Sequence, residues 1–564
     1  MIKAADLPRI PYFPPGAEGK EPYEPATERP ILKNKLYLYM TEFFSGVAVM
    51  AVELGASRLL APYFSSSQIV WTIIIGTIMI AMALGNLYGG RTADRDPNPD
   101  RLYRRILIAA VWIALIPVVG KYVILAVSAA LIFTVSTNFL IIAAFAACMI
   151  LFVYPLFLLG TVTPSLVKYT TDSLEDNGRI VGNMEAFNTV GSILGTFLPT
   201  FVTIPAVGTS VTFLLFSGIL LALGLAYFLS SRSHRRSCAA ALIAVVLCAV
   251  FGHRDSFAFW EDDLLYEGES VYNYLQVKET EDSVILSTNV LFGVQSVRQK
   301  DGGLTGMYYD TALAAPLMAG IQEKDTFDIL ILGMGSGTYA AQCQEFFGGR
   351  EDLRLSIEGV EIDQDITDLA RAYFALPEEV SVSTYDGRAY LQAVDKQYDV
   401  ILVDAYQDIT IPFQMSTVEF FTLVRDHLKP GGIMAVNMNM HSDGEGSINA
   451  HLCDTISSVF DAVYTADVPH TTNRELFAWN DADALTALSG GTDALTRADL
   501  RQNLEDVAQR LTPYTAGDLL LTDDRAPVEL LGIQVIDSLI QDEVSYYRDL
   551  YEREGLQGVV ESLL

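Results

Sequence analysis

The chain has 564 residues, of which 51% are hydrophobic, and it carries a formal net charge of −31 at pH 7. Its mean hydropathy is +0.30. This length and this hydrophobic composition together exclude a single soluble domain. The charge is divided unevenly, because residues 1–252 hold 18 Lys and Arg against 14 Asp and Glu, whereas residues 253–564 hold 19 against 54. An acidic second half of this kind repels nucleic acid, which we exclude as a partner, and attracts small cations.

The first 32 residues are predicted to be a disordered leader. Prolines and charged residues recur there without a compact apolar core. A signal peptide is not predicted, because no apolar stretch with a small-residue cleavage site follows a basic start.

Residues 33–252 are predicted to form a membrane domain with six to eight spans, so that the lipid bilayer is a partner and the cell membrane is the location. A span needs about 20 apolar residues to cross a hydrocarbon core of about 30 Å. Two pieces, 121–136 and 237–252, are borderline because each has 16 residues. The clearer apolar segments are 36–56, 68–89, 105–120, 138–163, 184–206 and 209–230.

The side on which the second half lies depends on the two borderline pieces. The domain has three basic loops, which contain Arg91, Arg95, Arg101, Arg104 and Arg105, then Lys168 and Arg179, and then Arg232, Arg235 and Arg236. If 121–136 does not span, all three loops fall on one side of the membrane, as the positive-inside rule requires. The second half is then cytosolic if 237–252 is re-entrant or peripheral, and outside if it spans. If both pieces span, the second half is again cytosolic, but two basic loops lie outside. We take a cytosolic location as the working expectation.

The first span contains two acidic residues, Glu42 and Glu53, which lie eleven residues apart and therefore on nearly the same helix face. Ionisable groups inside a membrane are costly and are often functional, which suggests a path for cations. The alternative is an internal lock between these acids and Arg58. The sequence leaves both interpretations open.

The second half contains four predicted strands whose ends carry glycine or an acid. The strand 327–332 ends in the loop Gly333-Met334-Gly335-Ser336-Gly337-Thr338, and a helix is predicted over 339–346. Strand 356–362 delivers Glu361 and Asp363, a third strand ends at Asp386-Gly387, and strand 398–403 ends at Asp404. Alternating strands and helices place these residues at the carboxyl edge of a doubly wound sheet, where such sheets bind ligands.

The glycine spacing favours a particular kind of ligand. A dinucleotide-binding loop has G-x-G-x-x-G, whereas Thr338 stands at the position of the third glycine here. The pattern fits a nucleoside such as S-adenosylmethionine better, with Glu361 on the ribose hydroxyls. No C-x-x-C or H-E-x-x-H motif is present, so no metal is expected.

Residues 265–430 resemble the spermidine synthase family, the polyamine aminopropyltransferases. The match is made of several ordered motifs. They are Glu269-Ser270-Val271-Tyr272-Asn273-Tyr274-Leu275-Gln276-Val277, Phe292-Gly293-Val294-Gln295, Tyr308-Tyr309-Asp310, the glycine loop, Val360-Glu361-Ile362-Asp363, Asp386-Gly387, Asp404 and Leu428-Lys429-Pro430-Gly431-Gly432. Together with the membrane half, the chain is similar to the bacterial membrane-fused branch of that family. The resemblance implies a small β-region over 253–318 and a Rossmann-like α/β domain over 319–564, ending in a helical tail after 530.

The resemblance also implies roles for individual residues. Asp404 would orient the attacking amine and accept its proton, and Asp408, Asp310 and Tyr308 would bind the amine substrate. The cofactor, decarboxylated S-adenosylmethionine or S-adenosylmethionine, would be bound by Gln295, Gly333, Gly335, Ser336, Gly337, Glu361, Asp386 and Gly387. Oligomers of identical chains are common in this family.

Two departures from the family pattern fall in the site itself. Ser336 replaces the loop aspartate that helps to hold the cofactor amine, and Asp408 lies four residues after Asp404 where the family has its second acid at an offset of three. Three interpretations therefore stay open. They are an aminopropyltransferase that acts on a small cationic amine, a methyltransferase that uses S-adenosylmethionine, and a non-catalytic polyamine transporter or sensor.

Overall fold

The computed structural model divides the chain into two compact units. One unit comprises residues 1–59, 73–123 and 145–255, and the other comprises residues 60–72, 124–144 and 256–564. The structure describes residues 31–64, 67–131, 138–170, 177–231, 233–254, 256–261, 263–290, 294–405, 411–438, 442, 444, 446–480, 483–535, 545, 550 and 553. The predicted leader, 1–32, lies almost entirely outside these residues.

The first half of the chain, residues 33–252, is built from nine helices within the described residues. Long apolar stretches of this kind favour helices, because a helix satisfies the hydrogen-bonding groups of its backbone within the segment itself. The helices are α1 (Lys35–Phe64), α2 (Gln68–Arg95), α3 (Pro99–Leu131), α4 (Phe139–Leu151), α5 (Val153–Gly160), α6 (Val162–Thr170), α7 (Asn177–Leu198), α8 (Ile204–Ser230) and α9 (Arg235–Gly252), with a π-helix at Pro199–Thr203.

One of the two borderline pieces is not a separate element. Residues 121–131 continue α3 without a break, so α3 runs for 33 residues. The second piece forms its own helix, α9, whose 18 residues are long and apolar enough to cross a membrane. By length and composition five helices meet this criterion, and a sixth is added if the bent pair Phe139–Leu151 and Val153–Thr170 counts as one span.

Glycines allow the helices of this unit to approach closely. A Cβ atom on Gly191 or Gly195 would collide with the carbonyl oxygen of Phe43 or Val47. On α2, a Cβ atom on Gly85 would collide with Phe157 O. Small residues at such crossings let helix backbones pack in direct contact, as the Gly-xxx-Gly pattern indicates.

The range Gly178–Ser230 is a single helical stretch of 53 residues that is apolar enough to cross a membrane, but the chain reverses its direction within it. Gly208 has a φ of +80°, outside the helical region. The hydroxyl of Thr212 donates to that of Thr203 at 3.0 Å, although nine residues of straight helix would separate them by about 13 Å. The chain therefore traverses the bundle twice in this range.

The second unit begins with an antiparallel sheet and continues as an α/β domain. The sheet strands are β1 (Leu264–Glu269), β2 (Tyr274–Glu279), β3 (Ser283–Ser287) and β4 (Ser296–Gln299). The strands that come after them are β5 (Thr326–Leu332), β6 (Arg354–Glu361), β7 (Ser381–Thr384), β8 (Tyr398–Val403), β9 (Leu428–Met438), β10 (Ala462–Asp467), β11 (Arg474–Trp479) and β12 (Thr512–Pro513). The helices are α10 (Tyr308–Ala312), α11 (Ala314–Met318), α12 (Thr338–Phe347), α13 (Gln364–Tyr373), α14 (Gly387–Ala393), α15 (Val418–Asp426), α16 (Ile448–Ser457), α17 (Ala484–Ala494) and α18 (Ala498–Arg510).

The predicted doubly wound sheet is confirmed. Its eight strands have the order β12-β10-β11-β9-β8-β5-β6-β7, and β7, β6, β5, β8 and β9 are parallel. The strand order reverses between β5 and β8, so their carboxyl ends form a switch point where ligands bind. Strands β5 and β8 are almost wholly buried, which explains their continuous apolar sequences.

The predicted strand boundaries need one correction. The third strand ends at Thr384, two residues before Asp386, because Asp386 caps helix α14 by accepting a hydrogen bond from Ala389 N. In the predicted tail, residues 528–535 are helical, and most of the remaining tail lies outside the described residues. The division of the second half at residue 318 stays a prediction.

Candidate active site

The glycine loop between β5 and α12 is held in a conformation that favours glycine. Gly333, Gly335 and Gly337 have φ values of +81°, +57° and +79°. A Cβ atom on Gly333 would lie 2.6 Å from Ala405 Cα, so a side chain there would push apart the ends of β5 and β8. The loop therefore needs glycine both for its backbone angles and for its closeness to the next strand end.

Glu361, the last residue of β6, holds the glycine loop in place through hydrogen bonds. Its carboxylate accepts hydrogen bonds from Gly335 N at 2.9 Å and from Asp363 N at 3.1 Å. Burial raises the pKa of Glu361 to about 7, although both N–H donors act to lower it. A buried acid at a strand end is suited to accept hydrogen bonds from a ribose diol.

Asp363 joins two of the sequence motifs. Its Oδ2 accepts hydrogen bonds from the hydroxyl of Ser270 and from Asn273 Nδ2, the latter at 2.9 Å. Its Oδ1 accepts from Asp365 N and so caps helix α13. The segment between β1 and β2 is thereby tied to the end of β6, and Tyr272 and Asn273 become part of the wall of the site.

Asp404 lies at the end of β8 and has a donor on each carboxylate oxygen. The hydroxyl of Tyr308 donates to Oδ2 at 2.6 Å, and Asn437 Nδ2 donates to Oδ1 at 2.9 Å. Asn437 Oδ1 in turn accepts from Asn473 Nδ2 at 2.8 Å, which fixes the direction of the Asn437 amide. Each carboxylate oxygen of Asp404 keeps a second lone pair for a ligand.

The surroundings shift the proton affinity of this acid. Burial raises the pKa of Asp404 to about 7, against the opposing effect of its two donors, and the nearby charge of Glu361 adds to the increase. Burial and the same carboxylate raise the pKa of Tyr308 well above its ordinary range, so Tyr308 stays a donor. Asp404 is therefore suited to exchange a proton near neutral pH.

A cleft of about 250 Å³ opens at this edge of the sheet. Its lining contains the acids Glu361, Asp386 and Asp404, and among the described lining residues there is no Lys, Arg or His. The cleft is therefore suited to a ligand that carries positive charge. The lining residues are Tyr272, Asn273, Gln295, Gly333, Val360, Glu361, Ile362, Ile366, Tyr385, Asp386, Gly387, Asp404, Ala405, Pro412, Gln414 and Met415.

Several of the predicted site residues meet in this cleft. They are Gln295, Gly333, Glu361, Asp386, Gly387 and Asp404. Gly335 N donates a hydrogen bond to Glu361, and the hydroxyl of Tyr308 donates one to Asp404. Gly337 precedes α12, where a Cβ atom would collide with Leu376. Asp408 lies outside the described residues.

Two predicted ligand-binding residues have other partners. Asp310 Oδ1 accepts from Gln342 Nε2 at 2.7 Å and Oδ2 accepts from Gly306 N at 2.6 Å, so its carboxylate holds the loop before α10. The hydroxyl of Ser336 pairs with that of Thr338 at 3.1 Å, and Ser336 is 1% exposed. Neither residue is among those that line the cleft.

Three residues that surround Asp404 were not selected from the sequence. Asn437 and Asn473 lie on or beside antiparallel strands, where polar residues are common. Glu475 lies opposite Asn437 in the β9–β11 register and is fully buried, and within the described part of the chain neither of its carboxyl oxygens has a hydrogen-bond partner. Burial, and then the charge of Asp404, raises the pKa of Glu475 well above its ordinary range. A buried acid in an otherwise apolar strand was the available signal.

The switch-point cleft, the glycine loop and the acids that follow the strands are the features of a doubly wound domain that binds a ligand at the carboxyl edge of its sheet. The chain is similar in sequence to proteins of one family. A family model described as "Spermine/spermidine synthase domain" matches residues 317–477. The chain is 51% identical over 356 residues to a probable polyamine aminopropyl transferase of Bifidobacterium longum, a match that covers 60% of this chain and 78% of that protein. It is 25% identical over 283 residues to a polyamine aminopropyltransferase of Vibrio vulnificus, covering 48% and 86% of the two chains.

The chain therefore belongs to the spermidine synthase family of polyamine aminopropyltransferases, and it is a transferase. The expected family is confirmed. Among solved structures, a probable spermidine synthase of Corynebacterium glutamicum is similar with 19% identity and a TM-score of 0.34, covering 45% of this chain and 97% of that one.

Proposed function

We propose that this chain is a membrane-anchored aminopropyltransferase, which moves the aminopropyl group of decarboxylated S-adenosylmethionine to a small cationic amine. The observation that carries the proposal is the acidic cleft lined by Asp404, whose carboxylate accepts hydrogen bonds from Tyr308 and Asn437. The family of the chain supplies the reaction class.

The charge of the cleft supports the decarboxylated substrate. S-adenosylmethionine carries a carboxylate, which the described lining would repel because its charged groups are all acids. The decarboxylated molecule instead presents a sulfonium and an ammonium, both positive. Glu361 would accept hydrogen bonds from the ribose hydroxyls, and Asp386 would bind the adenine amine.

The reaction requires a neutral nitrogen. An alkylammonium has a pKa of about 10 in water, and its nitrogen has no free electron pair until a proton leaves. Burial raises the pKa of Asp404 to about 7 and acts to lower that of a bound amine, and this desolvation opposes the effect of the neighbouring carboxylates, which favour the charged amine. The nitrogen then forms a bond to the carbon next to sulfur, the carbon–sulfur bond breaks, methylthioadenosine leaves neutral, and Asp404 holds the proton.

The membrane half supports anchoring through its apolar helices. Five apolar stretches have the length and composition of spans, or six if the bent pair counts as one, and one of them, Gly178–Ser230, traverses the bundle twice. In this proposal the chain lies in the cell membrane as a multi-pass protein, and the bilayer is its partner.

The function is tested with the full-length chain in detergent, supplied with decarboxylated S-adenosylmethionine and a set of diamines. Release of methylthioadenosine together with an aminopropylated product is the expected result. The Asp404→Asn variant is the matched control, because it keeps the shape of the side chain and removes the base. Methyl transfer from S-adenosylmethionine, or no turnover with any amine, would contradict the proposal.

A further inference from the structure

The directions of the helices in the membrane half determine at which end of the bundle the chain emerges after α9. Two contacts between the same pair of helices show whether those helices run in the same direction or in opposite directions. Thr41 of α1 lies 3.3 Å from Tyr103 of α3 (oxygen to oxygen), and Leu59 of α1 lies beside Gly120 of α3. Residue numbers rise together in the two helices, so α1 and α3 run in the same direction.

The same reasoning orients the helices that come later in the chain. On α7, Asn188 donates to Glu42 at 2.8 Å and Gly195 lies against Val47, so α7 runs with α1. On α8, the hydroxyl of Ser217 donates to Ala110 O at 2.8 Å. Nearer the end of α8, that of Tyr227 donates to Asp100 at 2.6 Å, so α8 runs against α3.

The bent segment α4–α6 crosses as one unit. It follows α3, and it ends where Lys168 forms an ion pair with Asp94 at 2.9 Å, close to the last residue of α2. Halfway along, Trp112 Nε1 donates to Leu151 O at 2.9 Å. The segment therefore returns the chain to the end of the bundle at which α3 begins.

Helix α9 completes an odd number of crossings. It starts where His234 lies 2.9 Å from Arg104 of α3, and at its other end Gly252 lies beside Val118 of α3. The crossings are α1, α2, α3, α4–α6, α7, α8 and α9. After seven crossings the chain emerges at the end opposite to the start of α1.

The basic residues are concentrated at the end of the bundle where α1 starts, which we call the basic end. Among the described Lys and Arg residues between 31 and 252, two lie toward the opposite end, Arg58 and Lys121. The others are at the basic end: Lys33, Lys35, Arg91, Arg95, Arg101, Arg104, Arg105, Lys168, Arg179, Arg235 and Arg236. Short loops rich in Lys and Arg stay in the cytoplasm.

A second observation concerns the connection between α1 and α2, which lies at the end opposite to the basic end. Residues 60–72 belong to the compact unit that carries the transferase residues. Within that unit, Val290 N donates to Pro62 O at 2.9 Å and the hydroxyl of Tyr63 donates to Phe257 O at 3.1 Å. The transferase unit thus includes a connection that the charge distribution assigns to the outside.

We infer that residues 256–564, with their active site, lie on the extracytoplasmic side of the membrane. This inference rests on the membrane anchoring proposed above but not on the identity of the reaction. It selects the alternative in which 121–136 does not span and 237–252 does. The amine acceptor is then taken from outside the cell, and a transport step for a cationic sulfonium nucleoside must supply the other substrate.

The test uses two cysteine variants of equal exposure in the full-length chain. Asp94, near the basic end, has a side chain that is 72% exposed, and Asp352, in the transferase unit, has one that is 70% exposed. All five native cysteines are buried, so their background labelling is low. A membrane-impermeant maleimide is added to bacterial cells without their wall, before and after permeabilisation.

We expect Asp352→Cys to be labelled in intact cells and Asp94→Cys to be labelled strongly after permeabilisation alone. The reverse pattern, or the same pattern for both variants, overturns the inference. If either variant fails to fold, protease added to cells that make the native chain gives a second answer. Digestion of the transferase unit in intact cells supports the inference, and its protection until lysis overturns it.

An activity measurement separates this inference from the proposed function. Intact cells without their wall are given decarboxylated S-adenosylmethionine and a diamine in the medium, and aminopropylated product is measured before and after lysis. Equal rates are expected, whereas a rate that appears after lysis alone overturns the extracytoplasmic location. Absence of activity in both samples contradicts the proposed function, and the labelling result still decides the location.

Discussion

The hydroxyl of Tyr308 donates to Oδ2 of Asp404 at 2.6 Å, and the two residues lie 96 positions apart in the sequence. Tyr308 begins helix α10, whereas Asp404 follows strand β8. The bond orients the carboxylate toward the cleft and limits the increase in its pKa that burial causes. In the proposed reaction Tyr308 would therefore be a positioning residue, which affects the substrate through its hydrogen bond to Asp404.

Removing this hydroxyl with Tyr308→Phe is expected to move the pH profile of kcat to higher pH, because the ionised form of Asp404 loses a donor. A shift of about one pH unit corresponds to about 1.4 kcal/mol, a reasonable value for a hydrogen bond to a charged group. Tyr339→Phe is the matched control, since its hydroxyl donates to Ala312 O at 3.3 Å instead. An unchanged profile in Tyr308→Phe would show that the tyrosine does not position the base.

The Asp404→Asn variant is expected to lose activity by a factor of about 100 or more, the usual range for removal of a general base. Binding of methylthioadenosine should change little, because the amide has the shape of the carboxylate. Calorimetry of the binding step and a product assay measure the two effects separately. Equal losses of binding and turnover would instead assign Asp404 to the nucleoside.

The raised pKa of Asp404 also predicts how stability depends on pH. Its pKa is about 7 in the folded chain and about 4 in the unfolded chain, so the folded state binds the proton more tightly. The contribution to stability is complete below pH 4 and is lost as the pH rises through 7. In thermal unfolding, the Tm of Asp404→Asn relative to the native chain should therefore increase between about pH 5 and about pH 8. A constant difference would contradict the shifted pKa.

Glu361→Gln is expected to weaken nucleoside binding by a factor of about 10 to 100, equivalent to the loss of one or two hydrogen bonds to a charged acceptor. The measurement is calorimetric titration with methylthioadenosine. Glu358→Gln, three residues earlier on the same strand, is the control, because its partners Lys396 and Tyr398 are remote from the cleft lining. If both variants bind equally well, Glu361 does not hold the ribose.

Asp363→Ala tests whether the antiparallel sheet completes the site. The change removes the acceptor of Ser270 and Asn273 and the cap of α13, at a cost to stability of about 1–3 kcal/mol. Because Tyr272 and Asn273 line the cleft, nucleoside affinity should fall as well. Ser270→Ala removes one donor and is expected to have the smaller effect on Tm. Unchanged affinity in both variants would make this contact purely structural.

Much of the cleft lining was predictable because its acids lie at or just after the ends of consecutive parallel strands. Glu361, Asp386 and Asp404 were selected on that pattern, and all three line the cleft. Ser336 and Asp310 were selected from motif positions, and their side chains turn to local partners instead. A motif gives the position of a residue along the chain, whereas the direction of its side chain depends on competing hydrogen bonds.

The sequence by itself determined the apolar helices, the order of strands and helices in the second half and the glycine loop, since periodicity and turn residues are local properties. The tertiary structure decided the features that depend on residues far apart. It brought Tyr308, Asn437 and Glu475 to the neighbourhood of Asp404, and it joined residues 121–131 to α3 while α9 stood alone. These outcomes result from packing between distant segments, and packing is a property of the folded chain that no local pattern records.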